Sequence, residues 1–297
     1  MLSKERFNEI MQAESNLVGC ELESLMALEG EKRQHVLTEA MAYSLLAGGK
    51  RIRPILTRAF CRACGGDDGL AMPFACALEM IHNFSLIHDD LPCMDDDELR
   101  RGRPTNHVVF GEDIAVLAGD GLLNMAFETA LKNARTPAHI TVEALKILAE
   151  CTGVYGMLGG QVIDLQSEGK SVDMDTLLTM HRLKTGALIR AAALMGCTVA
   201  GASAQQICGA EAYAKGIGLT FQIIDDILDV TSSTEELGKP VGSDAENQKT
   251  TFVTLLGVEE ARRQAQMHTE AAVEALQAFG GDEFLETLAY SLLNRKK

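Results

Sequence analysis

Apolar residues along this chain return every three or four positions, and that single pattern does most to limit what it can become. In ERFNEIMQAESNLVGCELESLM, Phe7, Ile10, Met11, Leu17, Val18 and Leu22 fall along one side of a helix. The same period predicts helices over 34–46, 54–64, 70–88, 113–133, 140–158, 174–178, 186–199 and 204–230, with two or three more from about Glu259. Gly48-Gly49 and Gly65-Gly66 end the second and third, and Pro54 opens the third, where its missing N–H costs nothing. Pro92 stops or kinks the long apolar fourth helix. The stretch 99–109, with Gly102 and Pro104, reads as a loop, as does 238–243 ahead of a helix starting near Glu246. No strand series emerges, and the chain is rich in Ala and Leu, holds no Trp and has only six Pro. With no linker, repeat or low-complexity tract, residues 1–297 read as one all-α domain, a bundle with a buried centre.

A net charge of −15 argues against a nucleic-acid partner, whose phosphates need basic surface. The eight cysteines form no framework; the lone CRAC pair, Cys61 and Cys64, has no second pair at metal-site spacing. The charged, amphipathic N-terminus lacks the apolar stretch of a signal peptide, and no uninterrupted apolar run is long enough to span a bilayer. A cytoplasmic chain with reduced thiols is expected.

Two aspartate clusters end apolar helical segments: Asp89, Asp90 and Asp95 in HDDLPCMDDDELRRGRP, and Asp225, Asp226 and Asp229 in FQIIDDILDV. Asp225 and Asp229 are four apart and share a helix face, while Asp226 adjoins Asp229 at three. Carboxylates this close repel one another, and a hard divalent cation removes that cost; Mg²⁺ takes one or two carboxylates plus substrate phosphates. Asp95 meets Asp89 and Asp90 only if the chain turns back through 91–94. Asp96, Asp97 and Glu98 read as solvated or supporting rather than as ligands. Opposite in sign are Lys50, Arg51 and Arg53 in GGKRIRP, then Arg100, Arg101 and Arg103, and the single lysines Lys184, Lys239 and Lys249. Glycines let backbone approach an anion and arginine grips phosphate through two N–H groups. His82 lies seven positions before Asp89, on the same helix face within about 20°. No nucleotide fingerprint, Ser-His-Asp order or activated Cys is present. An ionic mouth over an apolar pocket suits an amphiphile with a diphosphate head.

Taken in order, GGKRIRP, DDLPCMDDDELRRGRPT, GGQVIDL, HRLKTGALI and FQIIDDILDVTSSTEELGKPVGSD resemble the short-chain trans-prenyltransferases, the farnesyl and geranylgeranyl diphosphate synthase family, across residues 48–244. That resemblance implies an isoprenoid synthase fold of ten or more helices around a deep cavity, in a homodimer. It implies that Asp89, Asp90 and Asp95 with Asp225, Asp226 and Asp229 hold three Mg²⁺ and the allylic diphosphate. Asp89, Asp90, Asp225 and Lys184 would be the catalytic group. Arg100, Lys184, Thr185, Gln222 and Lys239 would bind the allylic diphosphate, and Lys50, Arg51, His82 and Arg101 the isopentenyl diphosphate; Arg53 receives no contact. The two-residue insertion in DDLPCMD marks the bacterial-like type, in which Phe84, five positions before Asp89, would floor the tunnel and favour a C15 product. Ser85 beside it is small and leaves room. Condensation of isopentenyl with dimethylallyl and geranyl diphosphate to farnesyl diphosphate is the expected reaction, with a geranylgeranyl synthase the alternative. A terpene cyclase fits less well, since it needs no second diphosphate site.

Overall fold

The computed structural model describes residues 1–27, 32–231 and 249–295. Among these, helices account for almost everything: α1 (Lys4–Met26), α2 (His35–Leu45), α3 (Ile52–Ala63), α4 (Asp68–Asp89), α5 (Asn106–Phe110), α6 (Glu112–Asn133), α7 (Ala138–Thr152) and α8 (Met157–Ser167). After α9 (Met174–His181) a π turn (Arg182–Gly186) leads into α10 (Ala187–Val199), followed by α11 (Ala204–Thr231), α12 (Phe252–Leu256), α13 (Val258–Ala275) and α14 (Glu283–Leu293). The expected helix near Glu246 and the loop before it lie outside the described residues.

The helices start where short polar side chains cap them. Ser3, Asp67, Asp173 and Asp282 each accept a backbone N–H from the first turn of the helix they precede. The fourth helix stands at the centre, with α3, α6 and α10 packed around it and its middle fully buried. Pro73 sits inside it and cannot donate to the Gly69 carbonyl; Arg135 takes that oxygen instead, at 3.3 Å, which satisfies the orphan acceptor. Both α4 and α6 are long and apolar enough to cross a membrane, but α4 is mostly enclosed by protein and α6 packs along it. The third and tenth helices touch backbone to backbone, since a Cβ at Gly196 would lie 2.2 Å from the Thr57 carbonyl oxygen.

Three differences from the periodicity are instructive. The segment expected as one helix over 140–158 breaks into α7 and α8, because Gly153 and Gly156 bring the chain against its own preceding turn: a Cβ at Gly156 would sit 2.2 Å from the Cys151 carbonyl oxygen. Conversely, Gly186 interrupts nothing; α9, the π turn and α10 run on without a gap. The stretch 99–109 holds a small hairpin, β1 (Leu99–Arg100) against β2 (Arg103–Pro104), and then α5. Its two turn residues, Arg101 and Gly102, have φ of 54° and 74°, the doubly positive conformation that matches hairpin twist.

Candidate active site

The C-terminal end of α4 carries the first carboxylates. Asp89 is the last residue of the helix and Asp90 its cap. The chain then turns at Leu91–Met94, and the Asp95 N–H donates to the Asp89 carbonyl at 2.8 Å, so Asp95 returns beside Asp89 as the turn hypothesis required. Burial pushes the Asp89 carboxyl up to about 6; Lys184 and Arg100 pull it down, while Asp95 and Asp90 add repulsion. Asp90 is held by the hairpin: Arg100 Nε donates to its two oxygens at 2.7 and 2.9 Å, and Asp97 lies 3.6 Å from the same guanidinium.

The second carboxylates project from the end of α11. Asp225 is 43% exposed and meets Arg295 at 2.6 Å, whereas Asp226 and Asp229 are buried. Asp226 Oδ2 accepts the Phe252 N–H at 2.7 Å, so one of its oxygens anchors the start of α12. These three line a cavity of about 280 Å³ with Asp164, His181, Lys184, Gln222 and Lys249. A second cavity of about 390 Å³ runs past Asp89, His82, Arg53, Gln161, Lys184 and Thr185 into an apolar stretch that includes Phe84, Met157 and Leu188. Lys184 lines both, and it joins the two aspartate clusters into one site.

Lys184 and Thr185 reach this junction because they ride on the π turn, a wound-out segment that helices tolerate mostly at functional sites. The glycines of GGQVIDL explain how. A Cβ on Gly160 would stand 2.1 Å from the Lys184 nitrogen, so only glycine lets α8 seat the turn. From the same helix Asp164 pairs with the Lys184 ammonium. Burial works against that charge, but Asp164, with Asp89 and Asp95 behind it, raises its pKa overall.

A cationic corner forms at the other end. His82 is half-buried on the cavity wall, and burial followed by Arg53, Arg101, Arg100 and Arg51 holds its pKa well below the ordinary value, so it is neutral. Arg53 Nη1 lies 3.3 Å from His82 Nε2, and burial lowers the Arg53 pKa, with Arg101 adding to the effect. Arg101, at the hairpin turn, donates to the Gly48 carbonyl and lies where a Gly49 Cβ would be 2.9 Å from its Cζ. This accounts for Gly49; Lys50 beside it is exposed.

The expectation for Arg51 is corrected here. It does not face this corner: φ of 50° turns it inward, where Nη1 meets Glu79 Oε1 at 2.5 Å and Nη2 donates to the Leu45 carbonyl at 2.6 Å. Arg53, two residues on and given no contact, lines the cavity instead. Gln161, Asp164, His181 and Arg295 are further site residues that the sequence reading did not assign; Gln161 and Asp164 lay inside the GGQVIDL motif, but nothing in their spacing pointed to Lys184. Lys239 lies outside the described residues.

Residues 34–280 match the polyprenyl synthetase family. The chain belongs to that family. It is 49% identical over 260 residues to a geranylgeranyl diphosphate synthase of Cyanophora paradoxa, covering 86% of this chain and 87% of that one. It is 46% identical over 274 residues to a farnesyl diphosphate synthase of Geobacillus stearothermophilus, covering 91% and 90%. Among solved structures, an FPP/GFPP synthase of Zymomonas mobilis superposes with a TM-score of 0.86 at 35% identity, over 97% of this chain and 99% of that one. A geranylgeranyl pyrophosphate synthetase of Pyrococcus horikoshii gives 0.87 at 31%, over 99% and 100%. The fold is the isoprenoid synthase fold, and the chain is a prenyl diphosphate synthase.

The polyprenyl synthetase family works with Mg²⁺, and the donor set here suits it in a particular way. Among the described residues, no three acidic, His or Cys side chains already converge on one metal-sized point. Mg²⁺ does not need that, because it binds through one or two carboxylates and completes its shell with phosphate and water. Meanwhile Arg53 Nε, Gln161 Nε2, His181 Nε2 and Arg295 Nε are buried without a hydrogen-bond partner. The first three belong to residues that line the two cavities sharing Lys184, and unfilled nitrogens there fit an arriving, strongly hydrogen-bonding anion far better than an apolar ligand.

Proposed function

We propose that this synthase condenses isopentenyl diphosphate head-to-tail with dimethylallyl and then geranyl diphosphate and releases (2E,6E)-farnesyl diphosphate. The observation that carries the C15 product is Phe84. It is 4% exposed and lines the apolar end of the same cavity that Asp89 lines at the polar end, although an ideal helix sets the two about 140° apart. The cavity is lined from both sides of α4, by His82 and Asp89 on one and by Phe84 and His88 on the other.

In this reading Asp89, Asp90 and Asp95 on one side and Asp225, Asp226 and Asp229 on the other hold three Mg²⁺, which supply charge neutralisation for the allylic diphosphate. Arg100, Lys184, Thr185 and Gln222 bind that diphosphate. Arg100 is now tied to Asp90, a contact that can be exchanged for phosphate oxygens when Asp90 takes metal, while Lys184 is paired with Asp164 and keeps further N–H groups for the diphosphate. Lys50, Arg53, His82 and Arg101 hold isopentenyl diphosphate; the neutral His82 donates one N–H and the arginines answer the charge. The allylic C1–O bond breaks with its electron pair leaving on diphosphate, a separation that Lys184 and Arg100 stabilise electrostatically. The isopentenyl double bond then attacks C1, and the new cation loses its C2 proton to the released diphosphate, so no side-chain base is required. Leu91, Met94, Met157 and Leu188 line the reaction space and keep water from the cation.

A homodimer is part of the proposal. Val108, Val109, Val116, Leu117, Tyr155 and Leu158 are exposed apolar side chains, and Val116 and Leu158 also line the tunnel. The test of function is the product profile from isopentenyl and dimethylallyl diphosphates with Mg²⁺, read by mass spectrometry. A predominant C15 diphosphate is expected, and Phe84→Ala is expected to lengthen it. A predominant C20 product overturns the farnesyl assignment and favours the geranylgeranyl reading, which Ser85 and several of the relatives also support.

A further inference from the structure

We propose that His88, seated in a notch at Gly119, is the backstop that keeps the Phe84 ring in the tunnel, and so helps determine product length; this rests on the chain-length role given to Phe84 above. Phe84 and His88 are four apart on α4 and share a face. Their rings meet edge to face, with centroids 5.2 Å apart and planes at 87°. Behind the imidazole stands α6. A Cβ on Gly119 would lie 2.2 Å from His88 Nε2 and 2.4 Å from Cδ2, closer than any real contact, so the ring occupies the space that a side chain at this position would fill. His88 Nε2 also lies 3.0 Å from the Val116 carbonyl oxygen, to which an Nε2–H donates.

The imidazole is thus fixed on two sides by α6, once by shape and once by a hydrogen bond. Both residues border the cavity, as does Val116. A growing chain that presses on Phe84 meets a ring whose retreat along α4 is blocked by the imidazole held at Gly119 and Val116. Without His88 the phenyl group has somewhere to go, and the tunnel lengthens. The contacts described for His88 run to Phe84, Gly119 and the Val116 carbonyl; it is a positioning residue acting through Phe84. The sequence offers a reason for the unusual choice of glycine at 119 in the middle of a helix, where it costs stability relative to alanine.

The experiment compares the C20:C15 product ratio of the full-length wild-type enzyme with those of His88→Ala, Gly119→Ala, Phe84→Ala and His88→Ala/Phe84→Ala, each checked for fold by circular dichroism. Because the ratio compares two products of one enzyme, a lower overall rate from a change beside Asp89 does not move it. His88→Ala is expected to raise the ratio about tenfold or more, the low end of what shape alone discriminates in an apolar pocket. Gly119→Ala, which evicts the imidazole without altering α4, is expected to change the ratio too. In the Phe84→Ala background the His88 change is expected to add little, since its effect passes through that ring. A wild-type ratio in folded His88→Ala or Gly119→Ala, or a full additional shift in the double variant, overturns the inference. The product of the wild type judges the farnesyl reading separately: if it is C20, that reading fails, while a shift in His88→Ala toward still longer chains sustains the backstop.

Discussion

The two arginines of GGKRIRP should fail in opposite ways. Arg51 is buried with Glu79, itself 2% exposed, and the pair is joined at 2.5 Å. Replacing Arg51 with Met leaves the Glu79 carboxylate with only an Asn83 amide at 3.3 Å. Breaking one side of such a pair costs about 3–5 kcal/mol. In a chain of this size that lowers the melting temperature by roughly 2–4 °C per kcal/mol, on the order of 10 °C in total. Adding Glu79→Leu removes the orphaned charge and should recover most of the loss, as apolar replacements of buried pairs commonly do. Arg53 sits among His82 and Arg101 with an unpartnered Nε and a pKa pushed down by burial. Burial opposes this charge and Glu79 only partly offsets it, so Arg53→Met should leave stability equal or higher. It should also remove a charge-assisted contact to diphosphate of about 1.5–3 kcal/mol, which corresponds to roughly a 10- to 100-fold rise in KM for isopentenyl diphosphate. Urea unfolding and initial-rate kinetics on the two single variants and the Arg51→Met/Glu79→Leu double variant measure all of this. If Arg51→Met unfolds like wild type while raising KM, or Arg53→Met leaves KM alone, the assignment of the two arginines is wrong.

Gly160→Ala pushes a Cβ into the Lys184 backbone; a stability loss of about 1–3 kcal/mol is expected with a larger fall in kcat, because the π turn carrying Lys184 shifts. A stable, fully active variant would refute the seating role. His181 is neutral when folded, its pKa held to about 4 chiefly by burial, with Asp164 and a Gln222 hydrogen bond opposing. The unfolded imidazole titrates near its ordinary value, so this contribution is complete above about pH 6.5 and is lost as pH falls toward 4, by roughly 3 kcal/mol. Urea titrations across that range on wild type and His181→Phe should show a shallower slope in the variant; equal slopes would count against the neutral imidazole. Arg295 competes for Asp225 through a half-exposed contact worth about 0.2–1 kcal/mol. Arg295→Ala should lower the Mg²⁺ concentration for half-maximal binding in the presence of inorganic pyrophosphate, by up to about fivefold. A weaker Mg²⁺ response would show instead that Arg295 assists the bound state.

Most of the long helices, the central apolar helix and the two acidic helix ends were legible in the residues, because each is written in local spacing. The Asp225–Asp229 face needs only 3.6 residues per turn, and the stop near Pro92 only the chemistry of proline. The misread elements are those in which the backbone departs from the apolar stripe. The gap expected between 178 and 186 is continuous helix and π turn, while Gly153 and Gly156 end a helix that its apolar stripe would have continued. The hairpin at Leu99–Pro104 was hidden because Arg101 occupies a positive-φ position that ordinarily announces itself with Asn, Asp or Gly.

The same division runs through the site. The sequence by itself determined which chemical groups are available: two carboxylate clusters, a basic loop before α3, a basic hairpin and an aromatic residue one turn and a half before Asp89. Only the tertiary structure decided which way they face. It turned Arg51 to Glu79 and Arg53 to His82, committed one oxygen of Asp226 to Phe252, and placed Lys184 between the two aspartate clusters by way of a glycine on another helix. It also put His88 behind Phe84 by bringing Gly119 of α6 against it. Helical periodicity sets the angle of a side chain on its own axis. Whether that angle meets a cavity, a counter-ion or another backbone depends on contacts between residues far apart in the chain, and those exist only once the helices have packed.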